Sequence, residues 1–250
     1  MSASSRPDYR NVEVVGLDAD DTLWHSENRF NQAHERYHEL LSEHVDIGSE
    51  ELEARMLATE QRNLRLFGYG AKGFTLSLIE TAIQITEGRI PTGDIERILS
   101  FGKDLLDHPV DLLPGVAETI DELSERGLAL LLITKGDLWH QESKVAASGL
   151  ADRFAGIEIV SEKDRASYAD VLHRHDVDPG SFCMVGNSVR SDVLPVIEIG
   201  GSALHVPYDF LWAHEAVDDA DEDPRFRTLD SITEVPPLLD EGRASDRPAR

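Results

Sequence analysis

Short apolar runs at 12–17, 128–133, 157–160, 182–185 and 203–206 alternate with stretches of helical periodicity. Such runs suit buried strands and are too short for core helices. Between them, PGVAETIDELSERG at 114–127 opens on Pro114 and repeats apolar residues at Val116, Ile120 and Leu123. It stops at Gly127, a glycine suited to a helix C-terminus. Segments 137–148, 166–175 and 189–199 carry further helical patterns. Strand and helix in alternation predict an α/β fold, a parallel sheet with helices on both faces. Ligands of such sheets bind beyond the carboxyl ends of the strands.

One segment breaks the alternation. From 26 to 108 there is no strand pattern, only four polar-apolar helical stretches punctuated by Gly48, the GYGAKG turn and the IPTG turn. The expected organisation is therefore a core formed by 1–25 and 109–240, with an all-helical module of 26–108 inserted after the first strand. A short strand at 226–229 and a helix at 231–239 close the core, and the last ten residues, EGRASDRPAR, are expected to lack fixed structure.

Charge narrows the partners. The chain of 250 residues carries 24 basic against 48 acidic residues, a formal net charge of -24. Phosphate backbones and anionic membranes need a basic face, so neither nucleic acid nor a membrane is an expected partner. The longest clean apolar run, LALLLI at 128–133, is far too short to span a bilayer. MSASSRPDYR has no apolar core of the kind a secretory signal carries, so a cytoplasmic protein is expected. Cys183 is the single cysteine and sits in the apolar run SFCMVG, which reads as a small buried thiol.

The first run ends as VEVVGLDADDTLW, with Asp18, Asp20 and Asp21 crowded together. Like charges this close repel, and burial opposes them further. Either the segment is a solvated turn or a cation stands beside it. Other strand ends carry polar groups too. LLLITKGD ends in Thr134 and Lys135, IVSEKD holds Lys163, and MVGNSVRSD places Gly186, Asn187, Ser188 and Asp192 after a strand.

In order and spacing this set resembles the haloacid dehalogenase-like (HAD) superfamily over most of the chain. DADDTLW is similar to its DxDx(T/V) motif, Thr134 and Lys163 match the hydroxyl and lysine of the second and third motifs, and GNSVRSD resembles the fourth. The resemblance implies a Rossmann-like core and makes the helical insert a C1 cap. It implies that Asp18 is nucleophile and metal ligand, and that Asp20 binds the metal through its carbonyl while its side chain serves as acid and base. Thr134 would bond the transferring group, and Lys163 would offset the charge around Asp18. Asp192 and Asn187 would complete a Mg2+ site. The implied reaction is Mg2+-dependent hydrolysis of a small phosphorylated metabolite through an aspartyl phosphate.

Asn187 departs from the pattern, because most phosphatases of the superfamily carry an acid there; metal binding that relies more on Asp192 follows. Asp21 has no implied catalytic role and is expected to serve the turn or a helix cap. Lys135 can contact substrate or form a salt bridge. In FGYGAKGFTL, the glycines Gly68, Gly70 and Gly73 suit a close-approach loop, where Tyr69 and Lys72 face the leaving group or Lys72 is an exposed connector. His34, His38 and His44 read as solvated or half-buried, Trp24 as core, and His25 as a possible substrate neighbour. Phosphomutase, phosphonatase and haloacid dehalogenase share the core motifs. Asp20 argues against the dehalogenase, which lacks the second aspartate. A non-catalytic binding protein is disfavoured by the intact set Asp18, Asp20, Thr134 and Lys163.

Overall fold

A computed structural model describes residues 9–209 and 223–244. The chain divides into two compact units, one of Met1–Glu27, Val110–Thr134 and Val145–Arg250, the other of Asn28–Pro109 with Lys135–Lys144.

The first unit is built on a six-stranded sheet of β1 (Val14–Leu17), β2 (Ala129–Lys135), β3 (Gly156–Val160), β4 (Phe182–Gly186), β5 (Ser202–His205) and β6 (Phe226–Thr228), in the order β3-β2-β1-β4-β5-β6. The β1–β2, β1–β4, β4–β5 and β5–β6 pairings are parallel. The side-chain period of two sends alternate residues to opposite faces. Val15, Leu17, Leu130, Leu132, Cys183 and Val185 join one buried cluster with Val116, Ile120 and Leu123. Leu131, Ile133, Phe182 and Met184 join another with Tyr168, Val171, Leu172 and Val196. The apolar runs are continuous because both faces are covered. Gly16 is required within β1, since a Cβ there would overlap the side chains of Phe182 and Met184.

The helices of this unit are α5 (Val116–Glu125), α7 (Arg165–Arg174), α8 (Leu194–Glu198) and α9 (Val235–Ala244). Gly127 takes φ +75° just after α5, as its place in the sequence predicts. Two expectations need correction. The helix read at 189–199 is a π-helical turn, Val189–Val193, followed by α8 with Pro195 in its first turn. Proline cannot donate into the preceding turn, so the regular pattern breaks there. The final helix runs on to Ala244, so 241–244 are not unstructured; 245–250 lie outside the described residues.

The second unit contains α1 (Glu27–Ser42) from its second residue on, α2 (Ser49–Phe67), α3 (Ala71–Ile85) and α4 (Thr92–Leu106), while α6 (Leu138–Ser148) belongs to it as far as Lys144 and to the first unit from Val145. It has its own core, in which Tyr37, Leu40, Leu41, Leu52, Leu78 and Ile98 are fully buried. Gly68 and Gly70, both at positive φ, make the turn between α2 and α3. Lys72 and Gly73 lie in the first turn of α3 rather than in a loop; Gly73 is needed because a Cβ would come within 2.7 Å of the Gly68 carbonyl. Among the described residues no helix is long and apolar enough to cross a membrane.

Candidate active site

Strand order 3-2-1-4-5-6 reverses direction between β1 and β4, and a parallel sheet opens a crevice at that switch point. Leu17 lies level with Leu132 of β2 and Val185 of β4. Asp18 is the next residue, its N–H donating to the Val185 carbonyl at 2.9 Å. Thr134 near the end of β2 and Gly186 at the end of β4 thus reach the same edge of the sheet as Asp18.

Lys163 follows β3 and turns its ammonium inward. Its Nζ donates to Asp18 Oδ1 at 2.5 Å and to Asp192 Oδ1 at 2.6 Å, with Asp18, Lys163 and Asp192 all buried. Burial pushes the Asp18 carboxyl up, Lys163 pulls it back, and Asp192 adds to the rise. Burial works against the Lys163 charge, but the two carboxylates outweigh it and hold the ammonium above its usual range.

Asp192 is fixed by short-range structure. Its Oδ2 accepts the Ser188 N–H at 3.0 Å, while Ser188 Oγ accepts the Ser191 N–H at 3.0 Å. Gly186 makes room for it, because a Cβ there would overlap the Asp192 carboxylate. Tyr168, buried on α7, donates to the Ser191 carbonyl at 3.1 Å and lies 3.4 Å from Asp192 Oδ1. Asn187 is half-buried, and its carbonyl accepts from His205 Nε2 at 3.0 Å.

The three aspartates after β1 separate into distinct environments. Asp20 is half-buried, and its Oδ1 accepts the Trp24 indole N–H at 2.7 Å. Asp21 takes φ +62° and accepts the N–H groups of Ser26 and Glu27, capping the start of α1. The expectation of a turn and capping role is met. Burial, with the charge of Asp20 behind it, pushes the Asp21 carboxyl up to about 8, although the two N–H groups pull it down. A carboxyl raised in the folded state contributes stability that is present below about pH 4 and is lost as the pH rises through 8. Asp21→Asn keeps an accepting oxygen and a residue type that tolerates positive φ. In EDTA it is expected to raise Tm by about 3 °C at pH 8 and by less than about 1 °C at pH 4.5; equal shifts at the two values would refute this account.

A divalent cation fits the donors present. Asp18 Oδ2 and Asn187 Oδ1 gather on the Thr22 hydroxyl, which lies 3.4 and 3.5 Å from them. The set expected for Mg2+ is oxygen throughout, with two carboxylates from Asp18 and Asp192, one amide from Asn187 and the Asp20 carbonyl. Among the described residues no group of three or more His, Cys, Asp or Glu is placed to hold a metal, in keeping with so few carboxylates in this set.

These features find their counterpart in known proteins. Residues 12–200 match the family model of haloacid dehalogenase-like hydrolases. The chain belongs to this family. A haloacid dehalogenase-like family hydrolase from Xanthomonas campestris is 42% identical, covers 96% of each chain, and superposes with a TM-score of 0.83. The 2-haloacid dehalogenase of Pseudomonas syringae is similar at 20% identity over 92% of this chain and 99% of its own, TM-score 0.62. YfnB of Bacillus subtilis, assigned to the HAD hydrolases and bound to magnesium, shares 15% identity over 91% and 98%, TM-score 0.61. At these identities the last two share the fold alone. No curated protein matches the chain.

The expected HAD residues Asp18, Lys163 and Asp192 come into direct contact, with Asn187 linked to Asp18 through Thr22. Tyr69, Lys72 and Lys135 belong to the helical unit and pair there. Lys135 Nζ lies 4.6 Å over the Tyr69 ring, and Lys72 bonds both oxygens of Asp137 at 2.8 and 2.9 Å. The Lys72 ammonium holds the Asp137 carboxyl below the usual range. His25 Nδ1 pairs with the Tyr208 hydroxyl at 2.6 Å. His34 and His38 are half-buried. Cys183 is buried and its thiol is pushed up to about 12, leaving it unreactive. Thr22 and Tyr168 were not singled out from sequence. Thr22 stands four residues after Asp18, a spacing that points to it; nothing local points to Tyr168.

Proposed function

We propose that the protein is a Mg2+-dependent phosphatase that hydrolyses a small phosphorylated metabolite. The observation that carries this reading is the pair of carboxylates two residues apart, Asp18 on Lys163 and Asp20 on the Trp24 N–H. A nucleophile and a separately held acid/base are what a two-step phosphoryl transfer needs.

In the proposed reaction an Asp18 oxygen attacks phosphorus. The bond to the leaving oxygen breaks, and that oxygen takes a proton from Asp20. Asp20 then removes a proton from water as the water oxygen attacks the aspartyl phosphate. Inorganic phosphate leaves and Asp18 is regenerated. Lys163 opposes the rise that burial imposes on the Asp18 carboxyl, and Thr134 donates to the transferring phosphoryl oxygens. Mg2+, held by Asp18, Asp192, Asn187 and the Asp20 carbonyl, would neutralise charge on the phosphoryl group.

The test is release of phosphate from p-nitrophenyl phosphate and a panel of small phosphorylated metabolites, with Mg2+ and with EDTA. Turnover that needs Mg2+ is expected, and its absence from the whole panel would refute the reading. Asn187→Asp adds a charge to the donor set and is expected to lower the Mg2+ concentration for half-activation by about 10-fold; no change would show that residue 187 is not a ligand.

Asn187 also favours a second reading, a haloacid dehalogenase in which Asp18 displaces halide from carbon. Halide release from 2-chloropropionate in EDTA distinguishes it.

A further inference from the structure

Trp24 reads from sequence as a core residue, and its ring is indeed buried in the cluster beneath the sheet. Its indole N–H, however, is aimed at Asp20 Oδ1 at 2.7 Å. The chain reverses between the two residues. Leu23 N–H donates to the Ala19 carbonyl at 2.8 Å, and Asp21 N–H donates to the Trp24 carbonyl at 2.8 Å. Beyond the turn, Trp24 bridges to Leu112, and the Leu113 N–H donates to the Leu23 carbonyl at 2.9 Å. The main chain at Trp24 is therefore fixed by backbone bonds and its ring by packing in the core.

We propose that Trp24 is a positioning residue that fixes the orientation of the Asp20 carboxylate through its Oδ1 oxygen. An indole N–H can donate and cannot accept, so Oδ1 is the acceptor in this pairing and the carboxylate plane is tied to the indole. Rotating Asp20 away would strand a buried donor, which opposes the motion. The inference rests on the reading of Asp20 as acid and base.

Trp24→Phe keeps an aromatic ring in the core and deletes the N–H. Turnover is measured on p-nitrophenyl phosphate, whose leaving group needs little proton assistance, and on phenyl phosphate and an alkyl phosphate, which need more. The loss in kcat is expected to be at least about 10-fold greater on the alkyl phosphate than on p-nitrophenyl phosphate, with KM changed little. An equal loss on all three overturns the proposal. Asp20→Asn separates the two readings. If it leaves leaving-group dependence unchanged, the acid/base reading of Asp20 fails. If it steepens that dependence and Trp24→Phe does not, the Trp24 assignment alone fails. The bond is also read without catalysis, from the Nε1–H resonance of 15N-tryptophan-labelled protein. That resonance is expected to be slow to exchange with solvent and to shift in Asp20→Asn; a fast-exchanging or unmoved resonance overturns the proposal even if Trp24→Phe fails to fold.

Discussion

Asp18→Asn is expected to lower turnover of p-nitrophenyl phosphate by at least about 10^3-fold while leaving the protein as stable as before, or more so. The activity loss follows from the proposed chemistry, since an amide cannot form the acyl phosphate. The stability follows from charge. Asp18, Asp192 and Lys163 are buried together with a net charge of one negative unit when all three are ionised. Neutralising Asp18 leaves Lys163 paired with Asp192 alone, a balanced buried pair. The expected change in EDTA is a gain of up to about 1 kcal/mol, read from urea melts. A variant that loses more than about 2 kcal/mol would show that Asp18 is needed to hold the fold.

Lys163→Met is expected to have the opposite effect on stability. It leaves two buried carboxylates facing each other with their counter-charge gone, a loss on the order of 3–5 kcal/mol and about 10 °C in Tm. The sign of its pH dependence follows from the same charges. Burial already raises Asp18, with Lys163 as the chief opposing charge, so removing the lysine raises that carboxyl further. A carboxyl raised in the folded state is penalised as the pH climbs above the unfolded value near 4. The deficit of Lys163→Met relative to the wild type is therefore expected to be small at pH 4.5 and to grow through neutral pH. Mg2+ is expected to recover part of it at pH 8. Melts that show one constant deficit across this range, with or without Mg2+, would remove the electrostatic account of the cluster.

The separate behaviour of the three aspartates shows what was legible before the fold was known. Asp18 stands at the end of an apolar run, so its place at a strand end follows from local burial pattern alone. Asp192 and Lys163 follow from their places after later strands and from the order of the motifs. The parallel sheet was legible for the same reason, as a succession of short apolar runs whose two faces are both covered. Asp20 and Trp24 were legible as residues but not as a pair. Periodicity marks Trp24 as buried and is silent about where its N–H points. Three glycines in six positions read as a turn and put Lys72 in a loop, whereas Gly73 serves close packing inside α3 and Lys72 lies on that helix. The segment Lys135–Lys144, which begins at the last residue of β2, groups with the helical unit through contacts such as Lys72 with Asp137, a pairing across 65 residues of chain.

Burial and charge belong to a residue and its near neighbours, so strands, helices and the acidic crowding at β1 are written in consecutive residues. Which donor meets which acceptor is set by strand order and register and by turns such as the positive φ of Asp21. Lys163 meets Asp18 across 145 positions because β3, β2, β1 and β4 end along one edge, and Trp24 meets Asp20 because the chain reverses between them. Those encounters are tertiary, and they turn a cluster of repelling aspartates into three groups with three different partners.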